Sequence, residues 1–192
     1  MKAPIDFYFD FSSPYGYLAS TKIDALAARH GRKVNWRPML LGAAFKATGG
    51  APLPSIPLKG EYSKRDFLRS ARFYGIPYHP PEPFPVSTVA ACRAFYSLAD
   101  GAERRKLASA FFNAYFVDNL NIGEPANVLK VARELGLQPD IESQAVKDRT
   151  RAEVEAALAK GVFGSPYIIV DGEPFWGVDR FEQIERWLRE PF

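Results

Sequence analysis

The residue with the clearest chemical potential in this sequence is Ser13, which opens the run Ser13-Pro14-Tyr15-Gly16. A serine followed by a proline is typical of a helix start, because the hydroxyl can cap free backbone amides and the proline ring already has a helical φ. The same hydroxyl, together with the positive end of a helix, can stabilise an anion such as a thiolate. Capping alone would also explain the serine, and the two roles are compatible.

Few other side chains offer reactive chemistry. The single cysteine, Cys92, excludes an intramolecular disulfide, a C-x-x-C redox pair and a cysteine-based metal site. It lies in an apolar helical run over residues 89–98, where we expect a buried small side chain rather than a reactive thiol. Neither His30 nor His79 has carboxylates or cysteines at ligand spacing, so we assign no metal site and no histidine base. Any thiol chemistry would need a thiol from outside the chain.

Composition narrows the class of protein. With 192 residues, 47% of them hydrophobic, the chain can bury a sizeable core. Its net charge of +3 is spread without a run of Lys or Arg, so we expect no nucleic-acid partner. Asp6 and Asp10 interrupt the apolar stretch near the start, unlike a signal peptide, and no segment approaches ~18 consecutive apolar residues. We therefore expect a cytoplasmic protein with no membrane partner.

Apolar periodicity predicts the element order βαβ, a helical insertion, then ββα, which is an α/β fold. The strands are predicted over 4–11, 34–39, 167–170 and 174–176, and the helices flanking them over 15–30 and 179–189. Residues 40–57 are predicted to form a loop, and helix signals without a strand fill residues 63–160.

Large aromatic residues are assigned mainly to the core, because such side chains dominate protein interiors. Those of the insertion that we expect to pack between its helices are Phe111, Phe112, Tyr115 and Phe116. Trp176 is a candidate for shaping a site, but core packing is favoured.

The element order resembles the thioredoxin fold as elaborated in DsbA, whose Cys-Pro-x-Cys motif stands where this chain has residues 13–16. Both cysteine positions are empty, so a protein thiolate cannot exchange disulfides there. The tripeptide 164–166 lies directly before the predicted strand at 167–170, where that fold has a cis-proline. We therefore expect a cis bond between Ser165 and Pro166.

A closer resemblance is to the 2-hydroxychromene-2-carboxylate isomerases and their relatives, the kappa-class glutathione transferases. Three segments are similar to that family, residues 6–20, 58–62 and 161–180, and together with an insertion of suitable length they extend the resemblance over nearly the whole chain. It implies a thioredoxin-like domain formed by residues 1–60 and 162–192, an all-helical insertion domain over 61–161, and a homodimer.

The resemblance also implies a glutathione site. Ser13 would be the catalytic residue and hydrogen-bond the glutathione sulfur, the backbone of Ser165 would pair with the tripeptide, and Asp179 would meet its γ-glutamyl end. The other residues that the resemblance places at the cofactor are Tyr15, Lys59, Pro166 and Val178. At Gly50 the sequence departs from the family, which often has an asparagine in this linker.

Three functions follow from this comparison. The first is a glutathione-dependent isomerase acting on an aromatic-derived carboxylate in aromatic hydrocarbon catabolism, with glutathione returned unchanged. The second is a kappa-like transferase that leaves glutathione attached to an electrophile. The third is a non-catalytic thioredoxin-like protein that binds glutathione or a peptide. Whether glutathione is recycled, consumed or only bound distinguishes them.

Overall fold

One four-stranded sheet forms the centre of the molecule in the computed structural model, which describes residues 2–192. Its strands, in the spatial order β2-β1-β3-β4, are β1 (Ile5–Phe9), β2 (Val34–Pro38), β3 (Tyr167–Val170) and β4 (Glu173–Trp176). β1 pairs with β2 in parallel and with β3 in antiparallel fashion. The sheet is therefore assembled from both ends of the chain, and all four predicted strands are present near their predicted positions.

Nine α-helices surround the sheet in the described part of the chain. They are α1 (Pro14–Ser20), α2 (Ile23–Arg29), α3 (Leu41–Thr48), α4 (Lys59–Tyr74), α5 (Val89–Ser97), α6 (Ala102–Phe116), α7 (Pro125–Glu134), α8 (Gln144–Ala159) and α9 (Phe181–Arg189). Helices α4 to α8 lie between β2 and β3 in sequence and make up the predicted insertion. Within residues 2–192, no helix has the length and apolar character needed to cross a bilayer.

The helix predicted over 15–30 is instead two helices, α1 and α2. The side chains of Ser20 and Thr21 bond back to backbone carbonyls three residues earlier, at Tyr17 and Leu18. Such bonds compete with the helical ladder and favour a break. A second difference is α3, which occupies much of the predicted loop over 40–57. A third is the start of α4, which begins at Lys59 rather than near residue 63.

The core is continuous between the sheet and the insertion. Phe9 of β1 lies 5.4 Å from Phe112 of α6 between ring centroids, and Phe11 lies 5.4 Å from Phe111. All four insertion aromatics assigned to the core are buried, as predicted, and so is Cys92. Burial raises the pKa of the Cys92 thiol well above its ordinary value, which makes it a poor nucleophile. The division at residues 60 and 161 stays a prediction.

Candidate active site

Ser13 lies where the segment after β1 turns into α1. Its Oγ accepts a hydrogen bond from the amide of Gly16 at 3.0 Å, which makes Ser13 the N-cap of the helix, with Pro14 as its first residue. The hydroxyl donates to the carbonyl oxygen of Ser165 at 3.1 Å. The predicted helix start is therefore confirmed, and the serine also contacts the segment before β3.

Ser165 faces the start of α1. The bond between Ser165 and Pro166 is cis, as the sequence predicts. The Ser165 hydroxyl accepts from the amide of Asp10 at 3.0 Å. Gly16 permits this close packing, because a Cβ at that position would lie 2.6 Å from Ser165 Oγ. Two distant segments of the chain are thus held against each other at Ser13.

A cavity of about 910 Å³ opens at this point, near the upper end of the range for small-molecule sites. Of the residues predicted to bind the cofactor, those that line it are Ser13, Tyr15, Ser165, Pro166, Val178 and Asp179. Lys59 is outside the lining, since its exposed side chain lies on the first turn of α4. The structure therefore brings together all the predicted residues except Lys59.

Tyr15 is held by an acidic partner on α4. Its hydroxyl donates to Asp66, which also accepts from Arg69. Burial and the hydrogen bond to Asp66 raise the pKa of Tyr15 above its ordinary value. Burial alone would raise the pKa of Asp66, but the hydrogen bonds from Tyr15 and Arg69 keep it lowered. At neutral pH the cavity wall therefore carries a neutral phenol against a carboxylate.

Both signs of charge also line the cavity, at residues 179 and 180. Asp179 and Arg180 form an ion pair of 3.4 Å in the turn before α9. Asp179 is well exposed and Val178 beside it is buried. Arg180 is the only cationic side chain that lines the cavity within residues 2–192. A zwitterionic ligand could therefore pair its ammonium group with Asp179 and its carboxylate with Arg180.

The prediction that Trp176 packs in the core is wrong. Its side chain is 57% exposed and lines the cavity, with its ring 4.9 Å from that of Phe163 between centroids. The indole packs directly across Gly164, where a Cβ would overlap it. Strand alternation was the missed signal: Phe175 is buried, so its neighbour on β4 must point to the opposite face.

Sequence reasoning also missed Asp10, a buried carboxylate in the lining. Two of the three groups that donate to its carboxylate, the Leu41 amide and the Thr88 hydroxyl, lie far away in the sequence, so the local sequence does not reveal its role. No cluster of three or more metal-ligating side chains occurs in the part of the chain that the structure describes.

Comparison with known proteins shows the family and the fold. Residues 4–189 match the model of the DSBA-like thioredoxin domain. The 2-hydroxychromene-2-carboxylate isomerase of Sphingobium xenophagum is 34% identical over 199 residues, covering 98% of this chain and 99% of that protein. The chain belongs to the 2-hydroxychromene-2-carboxylate isomerases, within the DSBA-like thioredoxin domains.

A solved structure and a more distant relative are also similar to this chain. The structure of a 2-hydroxychromene-2-carboxylate isomerase superposes with a TM-score of 0.87 at 28% identity, covering 96% of this chain and 94% of that one. Glutathione S-transferase kappa 2 of Caenorhabditis elegans is 26% identical, covering 98% of this chain and 92% of that protein. The expected α/β fold, a DsbA-type thioredoxin-like domain with a helical insertion, is therefore confirmed, and the chain is an enzyme of the isomerase family.

Proposed function

We propose that this chain is a glutathione-dependent isomerase that acts on 2-hydroxychromene-2-carboxylate or a closely related aromatic-derived carboxylate, in aromatic hydrocarbon catabolism. The observation that carries the proposal is the Ser13 hydroxyl, which is held 3.1 Å from the Ser165 carbonyl oxygen in the wall of a large cavity. Relatives named as such isomerases, 28 to 34% identical over nearly the whole chain, support it.

The lining residues fit glutathione. The hydroxyl of Ser13 can donate to a sulfur anion, and the backbone of Ser165 can pair with a peptide. The charges of Asp179 and Arg180 complement those of an amino acid end. When bound, glutathione supplies the thiolate nucleophile that the chain lacks, since Cys92 is buried. Lys59 stays a prediction as a ligand, and the structure gives it no support.

Ser13 has a defined task in this proposal. A free thiol has a pKa of ~8.5, so the protein must stabilise the anion to use it near neutral pH. One pKa unit corresponds to about 1.4 kcal/mol, which is within the range of a hydrogen bond to a charged group. By turning its hydroxyl proton from the Ser165 carbonyl to the sulfur, Ser13 can provide that stabilisation.

The apolar part of the cavity lining suits an aromatic substrate. The side chains that line it are mostly apolar, among them Leu41, Phe45, Leu53, Phe84, Val86 and Trp176. Apolar walls with few polar groups are typical of small-molecule sites, and they exclude water from a reacting centre. The volume is large enough for a second molecule beside the tripeptide.

Absorbance of 2-hydroxychromene-2-carboxylate, followed with substoichiometric glutathione, tests the proposal. We expect many turnovers per glutathione and none without it. Titration calorimetry at millimolar glutathione should show binding that S-alkyl glutathione analogues compete for. Absence of binding would make the cofactor assignment wrong, and turnover without glutathione would exclude a borrowed thiol.

A kappa-like transferase is the second candidate, because kappa-class relatives also match nearly the whole chain. Consumption of glutathione in step with product would favour it. A non-catalytic glutathione-binding protein is the third candidate, and binding without any turnover would favour that function.

We also propose that the chain forms a homodimer in the cytoplasm. The insertion aromatics are buried and cannot provide the interface. Support comes instead from exposed apolar side chains on or beside α4, namely Leu58, Tyr62 and Phe73. Sedimentation of the wild type and of Phe73→Asp would test this, and a monomeric wild type would contradict it.

A further inference from the structure

The carboxylate of Asp10 holds together three parts of the cavity wall. Its Oδ1 accepts from the amide of Ser12 at 2.8 Å and from the hydroxyl of Thr88 at 3.0 Å. Its Oδ2 accepts from the amide of Leu41 at 2.7 Å, at the start of α3. One side chain therefore joins the Ser12 turn, α3 and the residue that precedes α5.

The backbone of Asp10 contacts the two residues that form the proposed thiol site. Its carbonyl accepts from the amide of Ser13 at 3.0 Å. Its amide donates to the hydroxyl of Ser165 at 3.0 Å. Movement of Asp10 would therefore displace the Ser13 hydroxyl relative to the Ser165 carbonyl.

Burying the Asp10 carboxylate costs folding free energy, so a contribution to stability does not explain why it is there. Asp10 is only 5% exposed, and none of the ion pairs among residues 2–192 includes it. Burial raises the pKa of Asp10, although the bonds from Leu41, Ser12 and Thr88 act to lower it. A buried carboxylate without a cationic partner destabilises the folded state relative to an apolar side chain of similar size. Its contribution is therefore to geometry.

We propose that Asp10 is a positioning residue for Ser13: its carboxylate fixes the Ser12 turn against α3 and Thr88, so that the Ser13 hydroxyl is aimed at the thiol site beside Ser165. This rests on the proposed function, because the thiol belongs to glutathione. Asparagine cannot replace the carboxylate. An amide has one acceptor oxygen and one donor group, so the amide of Ser12 or of Leu41 would face another donor.

The test compares Asp10→Asn with Asp6→Asn, a matched change on β1, the strand that ends directly before Asp10. Asp6 pairs with Arg37 and Lys160 and does not line the cavity. For Asp10→Asn we expect kcat to fall roughly 10- to 100-fold, the scale of a small misplacement of a catalytic group. We expect the KM for glutathione to change less than about threefold, because Asp179 and Ser165 remain in place. For Asp6→Asn we expect only a loss of stability.

The pKa of the bound thiol, measured from the ultraviolet absorbance of the thiolate, separates positioning from a simple charge effect. Misplacement of Ser13 raises this pKa, whereas removal of a nearby negative charge lowers it. A raised pKa in Asp10→Asn supports the proposal. A lowered pKa overturns it, and so does an unchanged pKa with unchanged kcat.

Two further measurements keep the test decisive. If Asp10→Asn does not fold, Thr88→Val removes one donor to the carboxylate and should change the thiol pKa in the same direction by a smaller amount. If Thr88→Val has no effect on the thiol pKa, the proposal is wrong. If wild-type protein binds glutathione and Ser13→Ala behaves as expected while the Asp10 and Thr88 variants behave as wild type, only this inference fails. If wild-type protein binds no glutathione, the proposed function fails and this inference with it.

Discussion

The Ser13 hydroxyl donates to the carbonyl oxygen of Ser165 across 3.1 Å. The hydroxyl oxygen of Ser13 in turn accepts from the amide of Gly16 at 3.0 Å. Its proton is therefore committed to a backbone acceptor, and a bound thiolate must compete with that carbonyl for it. Because a hydroxyl hydrogen rotates to suit its partner, the change needs no movement of the backbone.

Replacing Ser13 with alanine removes the donor to the sulfur. We expect turnover to fall about 10- to 1,000-fold, equivalent to about 1.4–4 kcal/mol of barrier, as when one donor to a developing anion is lost. The pKa of the bound thiol should rise, while the affinity for glutathione changes much less. Steady-state kinetics and thiolate absorbance measure these effects.

Ser143→Ala is the matched control, since Ser143 caps α8 through the amide of Val146 and lies outside the cavity lining. Loss of either cap should cost about 1 kcal/mol of stability. Only Ser13→Ala should lose turnover. Full activity in Ser13→Ala would exclude the proposed task of the hydroxyl.

A methyl group at Gly16 should damage the site. The added Cβ of Gly16→Ala would lie 2.6 Å from Ser165 Oγ and 3.3 Å from Ser13 Oγ. To relieve the overlap, the Ser165 hydroxyl must leave the amide of Asp10. We expect a stability loss of about 1–3 kcal/mol, as for overpacking, and lower turnover.

Gly42→Ala provides the comparison, because a Cβ at Gly42 in α3 would meet no atom within 4 Å. That change should stabilise the protein by up to about 1 kcal/mol, since alanine is the better helix former. Thermal unfolding distinguishes the two variants. A Gly16→Ala protein as stable as Gly42→Ala would show that the packing at Ser165 is looser than the structure indicates.

The sequence predicts those parts of the site that local chemistry marks. Ser13 is recognisable because capping and the following proline act within one helical turn. Gly164 and Pro166 flank Ser165 directly before a clearly alternating strand. Signals of this kind need no knowledge of the tertiary fold.

The parts that sequence analysis missed depend on contacts between distant segments. α3 begins where the amide of Leu41 donates to the carboxylate of Asp10, 31 residues earlier. Because this contact is not visible in the local sequence, local signals predict a loop over residues 40–57. Helix formation often follows tertiary contacts rather than propensity. Lys59 is a different case: the family motif suggests a ligand, α4 begins at this residue and its side chain is exposed, so its role as a ligand stays a prediction.

Stability at acid pH should depend on Asp6. Burial alone would raise its pKa, but hydrogen bonds from Asn35 and Arg37 and the charge of Arg37 hold it below its ordinary value of 3.8. The folded state thus binds the proton more weakly than the unfolded state. The ionised form stabilises the fold above about pH 4, and this stability is lost as the pH falls through the folded pKa.

Asp6→Asn should therefore lower the free energy of unfolding near neutral pH and flatten its decline below pH 4. Urea titrations from pH 2.5 to 7 measure both effects. Asp148→Asn on α8 is the control, because its exposed carboxylate should contribute within about 0.5 kcal/mol. Equal acid sensitivity of wild type and Asp6→Asn would assign the acid unfolding to other groups.

The exposed indole of Trp176 should contribute to substrate binding. It lines the cavity beside Phe163 and covers Gly164, the residue before Ser165, so it is near the proposed thiol site. An aromatic substrate can pack against this ring, and such ring pairs contribute about 0.5–1.5 kcal/mol beyond buried area. In Trp176→Ala we expect the KM for 2-hydroxychromene-2-carboxylate to rise about 2- to 12-fold. The KM of Trp176→Phe should lie between those of the wild type and of Trp176→Ala.

Phe192→Ala is the matched control, since Phe192 is 64% exposed but does not line the cavity. Its KM values should stay at the wild-type level. The KM for glutathione should also stay unchanged in both Trp176 variants, because Ser165 and Asp179 are intact. A rise in the KM for glutathione rather than for the substrate would place the indole against the tripeptide, and no change in either would leave Trp176 outside the substrate site.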